Sequence, residues 1–282
     1  EMVDFPALLT SSYGWLTFLH TITAGYVTAA FFVLGISAWQ ILKKREVPLF
    51  KSSFRIAAVF GLLSSMAVVG IGDFHGAEVA RVQPGKLAAM ESLWETESSV
   101  PFYLFVLPDA KNERNSIEAV GIPYMVSFLA YRDIHAELKG LKEFPREDRP
   151  PVMETFLGFR IMVALGGLFM LLAAIALYLS VRNRLESLPR FLWLMALSLP
   201  LPYLAGQAGW VVAEVGRQPW IVYGLLRTKD AVSPNIAGSQ VLFSLIGLGL
   251  LYTFLGIVGL CLMIYHIRKG PEPEATEPGA SS

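Results

Sequence analysis

Three side chains able to hold a metal stand within or at the end of apolar runs in this 282-residue chain: His20, Met162 and Glu214. Imidazole nitrogen, thioether sulphur and carboxylate oxygen are all iron donors. Histidine with methionine is an axial pair of haem iron, in which the thioether tends to raise the reduction potential. A carboxylate alone would leave a haem iron five-coordinate and open to a gas ligand. Glu214 lies in the stretch 209–228, GWVVAEVGRQPWIVYGLLRT, where an apolar run ends on a carboxylate and meets Arg217, Gln218, Pro219 and Trp220 at once. A carboxylate deep in a lipid-facing helix costs roughly 2.5–3.5 kcal/mol on insertion scales, so such a residue points to function. Each of the three also has a plainer reading. His20 could hydrogen-bond a neighbouring helix, Met162 could fill a core, and Glu214 could pair with Arg217 or reach outward to water. Arg160, near the start of its apolar run, could mark the membrane interface or hold a haem propionate. His75, His135 and His266 fall outside the apolar runs and read as solvent-side residues without a role.

The elements that must position these donors are membrane helices. Hydrophobic residues make up 54% and charged residues 16% of the chain, and the mean hydropathy is +0.51. That leaves too little polar surface to cover a soluble globule of this length. The formal net charge of zero argues against a nucleic-acid partner, and the single Cys261 excludes an internal disulfide and a CxxCH haem attachment. Apolar runs at 13–42, 56–72, 156–181, 191–213 and 236–265, of which only the third holds a charge, Arg160, predict an all-α integral membrane protein of about five transmembrane helices. Pro200 and Pro202 are expected to kink the fourth.

Four segments follow: 1–72 with the first two helices, 73–155 as a long extracytoplasmic loop, 156–269 with the last three helices, and 270–282 as a disordered cytoplasmic tail. A loop of that length is expected to be functional and to hold helices of its own, one of them at LAAMESLWE. Lys43, Lys44, Arg45, Lys51 and Arg55, then Arg182, Arg184 and Arg190, then His266, Arg268 and Lys269 all fall on one side of this topology. The positive-inside rule makes that side cytoplasmic and puts the long loop and GRQPW outside. Helical rise then sets His20 and Met162 about two turns below the outer ends of the first and third spans. Glu214 lies near the outer end of the fourth, so all three donors share one half of the membrane.

The strings GWVVAEVGRQPW and VYGLLRT, FRIMVA around Met162, LHTITAGYVTAAFFVLGISAW around His20, and VQPGKLAAMESLWET resemble subunit I of the cytochrome bd quinol oxidases. The resemblance runs nearly end to end, with its motifs in order. It implies that His20 and Met162 are the axial ligands of the low-spin haem b. It implies that Glu214 ligates one of two high-spin haems, a haem b and a haem d. By the same resemblance Lys86 and Glu91 serve quinol oxidation in the loop, Arg160 stands beside the low-spin haem, and Trp210 lies between haems. Arg217 is assigned to haem propionates by its charge and neighbourhood. Lys86 and Glu91 are five residues apart, about 140° from a common helix face, so they can flank a ligand without pairing.

The resemblance further implies a quinol:oxygen oxidoreductase that is electrogenic without pumping, a multi-pass protein of the bacterial inner membrane. Its partners would be cytochrome bd subunit II, a small accessory single-helix subunit, membrane lipid and the quinone pool. A complete subunit I has four further helices before the first span. The chain opens on Glu1 with no signal-like segment, so a truncated sequence, inactive by itself, is expected, and the loop resembles the short type. Two rival readings stand beside this one: a haem b electron-transfer or assembly subunit without oxygen chemistry, and a transporter-like bundle with a Pro-kinked helix.

Overall fold

The computed structural model describes residues 5–271; the tail beyond them lies outside the described residues. A short helix α1 (Phe5–Leu9) leads into α2 (Ser12–Leu42), and Ser11 caps that helix by accepting the Gly14 N–H. Then come α3 (Val47–Val82) and α4 (Pro84–Glu91). The following loop holds β1 (Glu97–Ser98), a hairpin of β2 (Phe102–Asp109) and β3 (Arg114–Ile122), a short helix α5 (Met125–Tyr131), and β4 (Glu137–Leu138), which pairs with β1. The chain returns to the membrane through α6 (Val152–Val181), α7 (Pro189–Leu197) and α8 (Leu201–Glu214). It closes with a small ribbon, β5 (Trp220–Val222) and β6 (Leu226–Arg227), and a final helix α9 (Gly238–Lys269). Among the described residues five helical segments are long and apolar enough to cross a membrane, and the chain is an all-α multi-pass membrane protein.

The second span is longer than its uncharged core. Lys51, Arg55 and Asp73 end the apolar run at 56–72 but leave the helix intact, because each has a partner. Lys51 pairs with Glu186 at 2.8 Å, Arg55 donates to the Ser180 carbonyl at 3.0 Å, and Arg132 forms a forked pair with Asp73. At 36 residues α3 is about 54 Å long, well beyond a hydrocarbon core of about 30 Å. It therefore carries His75 up to the loop within a helix. The fourth span breaks where the prolines predicted: α7 stops before Ser198, the chain turns through Pro200, and α8 restarts at Leu201. Proline offers no N–H to the preceding turn.

The loop holds the expected helix, α4, and also the β2–β3 hairpin, which polarity alone did not suggest. Its register pairs Phe105 with Ala119 and Leu107 with Ile117. Gly140 ties the loop down, since a Cβ there would stand 2.2 Å from the Glu95 backbone carbon.

Within the membrane α3 packs between α2 and α6, α6 packs on α8, and α7 and α8 return to α2, so α2 and α6 face each other across the bundle. Phe31 and Phe169 meet there with ring centroids 4.8 Å apart. Around them Leu34, Phe54, Leu192 and Met195 form the core of the half remote from the loop. A second cluster, with Val79, Met90, Val126 and Val212, packs the loop onto the bundle. Between the two clusters no residue of 12–26 in α2, 66–78 in α3 or 159–168 in α6 is fully buried. That level, which holds no fully buried residue of these three helices, is the level of His20 and Met162.

Candidate functional site

Two helix faces meet around His20. On α2, Tyr13, Thr17 and His20 follow one another at about one-turn steps; on α3, Val68, Gly72 and His75 do the same. Gly72 permits the approach: a Cβ there would lie 3.0 Å from His20 Cε1. His20 Nδ1 is buried and makes no hydrogen bond of normal geometry, although the Val68 carbonyl is within electrostatic reach of the ring. A carbonyl at Nδ1 is the usual arrangement that leaves Nε2 for a metal. His75 lies inside this interface. Its ring is 5.9 Å from that of His20 and 5.3 Å, edge-on, from that of Tyr13, and its Nε2 is 3.3 Å from Thr17 Oγ1. The solvent-side reading of His75 is thereby corrected. The sequence hides this residue because the charge of Asp73 suggests that the second span ends at Gly72; the helix in fact continues to Val82 and puts His75 on the face of Gly72.

Met162 comes from the facing helix. Its Sδ rests against Gly209 of α8, where a Cβ would stand 2.9 Å from the sulphur, and Gly158 allows a similar approach to the Ala208 carbonyl at 3.0 Å. His20 and Met162 lie on the loop side of the Phe31–Phe169 contact, about three and two turns from it. Among the described residues no three His, Cys, Asp or Glu side chains converge on one point. Single donors on facing helices suit an iron that brings its own four equatorial nitrogens rather than a bare ion. With the Cε1–Nδ1 edge of His20 packed on Gly72, Nε2 is the nitrogen left for such a group, and the buried, unpartnered N–H donors of Arg160 and Arg217 suit its anionic side chains.

The loop delivers two buried charged residues to this end of the bundle. On α4, Glu91 Oε2 accepts from Arg160 Nη2 at 2.7 Å, and both side chains are largely buried. Burial pushes the Glu91 carboxyl up to about 7, although Arg160 works against that shift. The Arg160 guanidinium lies 4.0 Å over the Phe102 ring of the hairpin. Its Nε and Nη1 are buried without partners, which leaves donors for an anionic group. Lys86 is also buried and faces the other way. Its Cε is 3.3 Å from where a Gly216 Cβ would stand. Burial lowers its ammonium to about 8, against the pull of Glu214 and with the push of Arg217. The two loop residues thus diverge, one to α6 and one to the end of α8.

Glu214 pairs with Arg217 at 2.6 Å, both side chains more than a third exposed, a pairing worth at most about 1 kcal/mol. Arg217 Nε is buried and unpartnered. The segment after α8 is pinned by Gln218 donating to the Glu214 carbonyl at 3.2 Å and by Arg227 donating to Asp148 at 2.6 Å. Trp210 is 61% exposed on α8. The structure thus groups His20 with His75, Met162 with Gly209, Glu91 with Arg160, and Lys86 with Glu214 and Arg217, while Trp210 stands on an open face.

Known proteins share this arrangement of helices. The family model for cytochrome bd terminal oxidase subunit I matches residues 1–271. The chain is 39% identical over 295 residues to cytochrome bd ubiquinol oxidase subunit 1 of Bacillus subtilis (strain 168), covering 99% of this chain and 63% of that protein. It is 34% identical over 344 residues to cytochrome bd-II ubiquinol oxidase subunit 1 of Escherichia coli (strain K12), covering 98% of this chain and 66% of that one. The solved structure of the bd oxidase from Geobacillus thermodenitrificans superposes with a TM-score of 0.77 at 30% identity, over 90% of this chain and 57% of its own. The chain therefore spans less than two thirds of the length of these relatives. With the matched family model covering nearly its whole length, the chain belongs to the cytochrome bd terminal oxidase subunit I family.

Proposed function

We propose that this chain is the haem-binding, quinol-oxidising part of a bd-type terminal oxidase. The observation that carries the reading is the Glu91–Arg160 pair, which joins a buried carboxyl on α4 to the residue two positions before Met162 on α6. A proton acceptor for substrate and a donor to an electron-accepting group thus meet in one contact. The names of the Bacillus subtilis and Escherichia coli relatives, both ubiquinol oxidases, support the choice of substrate. Segment 73–155 is then the quinol-binding loop, on the outer face, with the basic ends of the helices in the cytoplasm.

In this reading His20 and Met162 hold a low-spin haem b, and Glu214 holds one of two high-spin groups, a haem b or a haem d. When bound, the haems supply the redox chemistry, accepting the two electrons of quinol and passing them to dioxygen. Glu91 Oε accepts a proton from a quinol hydroxyl, for which a carboxyl near neutrality is well matched. Lys86 holds the opposite side of the loop helix against α8. Arg160 steadies Glu91 with one amino group and turns its remaining N–H donors to a propionate, and Arg217 does the same beside Glu214. Trp210 fills the space between haems. The exposed flank of α9, which has no buried residue, suits contact with lipid, with cytochrome bd subunit II or with a small accessory helix. The setting is a bacterial inner membrane with its quinone pool.

The test is purification of the chain within its membrane complex, followed by a reduced-minus-oxidised spectrum and oxygen uptake driven by a reduced quinol. Haem bands with quinol-dependent uptake are expected. Haem bands without oxygen uptake would instead favour an electron-transfer or assembly subunit. A finer prediction concerns Gly209. In Gly209→Ala the new methyl displaces the Met162 sulphur, the mobile end of a flexible side chain, so expression and total haem should hold. The low-spin haem should nonetheless lose thioether character and titrate at a lower potential. An unchanged redox titration would remove the assignment of Met162.

A further inference from the structure

His75 has no part in the proposed function, yet its ring stands beside that of His20, with centroids 5.9 Å apart. Its hydrogen bond fixes its state. The Thr17 hydroxyl donates its proton to the Tyr13 carbonyl at 2.8 Å, so toward His75 Nε2, 3.3 Å away, it has only lone pairs to offer. His75 therefore carries its proton on Nε2 and donates it to Thr17. Tyr13 sits edge-on to the same ring at 5.3 Å. The imidazole is thus held on one side by α2 and on its own helix by the turn that begins at Gly72. Held in this way, its ring lies 5.9 Å from that of His20 at an interplanar angle of 58°.

On the other flank of His20 the Val68 carbonyl lies within electrostatic reach of the ring but outside normal hydrogen-bond geometry, and Gly72 offers only backbone, against which Cε1 is packed. A ligand imidazole is ordinarily oriented by a hydrogen bond at its second nitrogen. Here the Val68 carbonyl stands outside normal hydrogen-bond geometry, so the groups packed on the His20 ring, Gly72 and His75, share in setting its plane.

We propose that His75 is a positioning residue for His20: Thr17 locks the His75 ring, and that ring shares in setting the plane in which His20 meets the iron. The proposal rests on His20 being a haem ligand and adds the Thr17–His75 lock that holds it. The plane of an axial imidazole governs the splitting of the iron d orbitals, so it is read in the low-spin EPR g-values and in the midpoint potential, whatever the turnover of the enzyme.

The experiment uses the whole membrane complex with its haems bound and compares Thr17→Val, His75→Ala, His75→Gln and the Thr17→Val/His75→Ala double variant. Thr17→Val removes the hydroxyl, and with it the acceptor for His75 and the intrahelical bond to the Tyr13 carbonyl. His75→Gln keeps an amide N–H where Nε2–H stood. The expected result is a shift of the low-spin g-values and midpoint potential in the same direction for Thr17→Val and His75→Ala. The double variant should shift no further than the larger single one, because the two residues act as one lock, and His75→Gln should return most of the shift. Native g-values and potential in Thr17→Val and in whatever haem His75→Ala retains would overturn the proposal, as would shifts that simply add. Complete loss of haem in His75→Ala beside a native signal in Thr17→Val also counts against it. A His20→Ala variant that retains the low-spin signal would instead overturn the ligand assignment beneath the proposal, and so separates the two failures.

Discussion

Replacement of His20 by alanine should remove the low-spin haem from the complex, with loss of its sharp band from the reduced-minus-oxidised spectrum. Met162→Leu should keep a haem, at lower potential and with partial high-spin character. The asymmetry follows from what each site has in reserve. Among the described residues the imidazole beside His20 is that of His75, and its Nε2 is occupied by Thr17, so it is not free to replace the lost nitrogen. Around Met162, leucine has nearly the same volume and costs under about 1.5 kcal/mol in a core. It lacks the lone pair, however, and the haem it leaves behind hangs from His20 alone. The level between the two apolar clusters has no fully buried residue in α2, α3 or α6, so truncation of His20 should leave the packing around Phe31 and Phe169 intact. Retained secondary structure with lost haem is therefore the expected combination. Spectra unchanged in both variants would remove His20 and Met162 as ligands together.

How much of this was legible in the chain depends on whether the information was local. The spans were, since each is a run of apolar residues, and so was the break at Pro200, which follows from a missing N–H. The Glu214–Arg217 pair was also local, three residues apart across the end of α8. The end of the second span was not. Lys51, Arg55 and Asp73 look like a helix leaving the membrane until their partners at Glu186, Ser180 and Arg132 are known, and those partners are more than 50 residues away. His75 was missed for the same reason, because its neighbours Thr17 and Tyr13 belong to another helix. The first strand of the hairpin is an unbroken apolar run, Phe102 to Leu107, that the length and charge of the loop obscured. On α4 the spacing of Lys86 and Glu91 correctly indicated that they would not pair. Their actual neighbours, at the end of α8 and on α6, are separated from them by more than 60 residues and could be found only in the folded chain.

Glu91→Gln should lower quinol oxidation by roughly 10²-fold or more while leaving the haem spectra unchanged, because glutamine still accepts from Arg160 but cannot take up a proton. The pH dependence identifies the group. Burial holds the Glu91 carboxyl near 7, above its ordinary 4.5, so the native rate should rise with pH through about 7 as the carboxylate that accepts the proton forms. The stability linkage has the opposite sense. A carboxyl raised in the folded state stabilises the loop fully below about 4.5, and that contribution is lost as pH rises through about 7. Lys86, lowered from 10.5 to about 8, contributes stability above its ordinary value and loses it as pH falls through about 8. The loop is therefore held at neutral pH at some expense to its packing, as expected where charge is needed for chemistry. Arg160→Gln removes the cation that opposes the rise of Glu91, so the acid limb of the rate profile should move to higher pH. In Glu91→Gln that limb should vanish. Rates of quinol oxidation measured from pH 5 to 9, the range over which a group titrating near 7 changes charge, decide the matter. A Glu91→Gln enzyme of native rate, or an acid limb that stays in place when Arg160 is replaced, would show that the proton of quinol goes elsewhere.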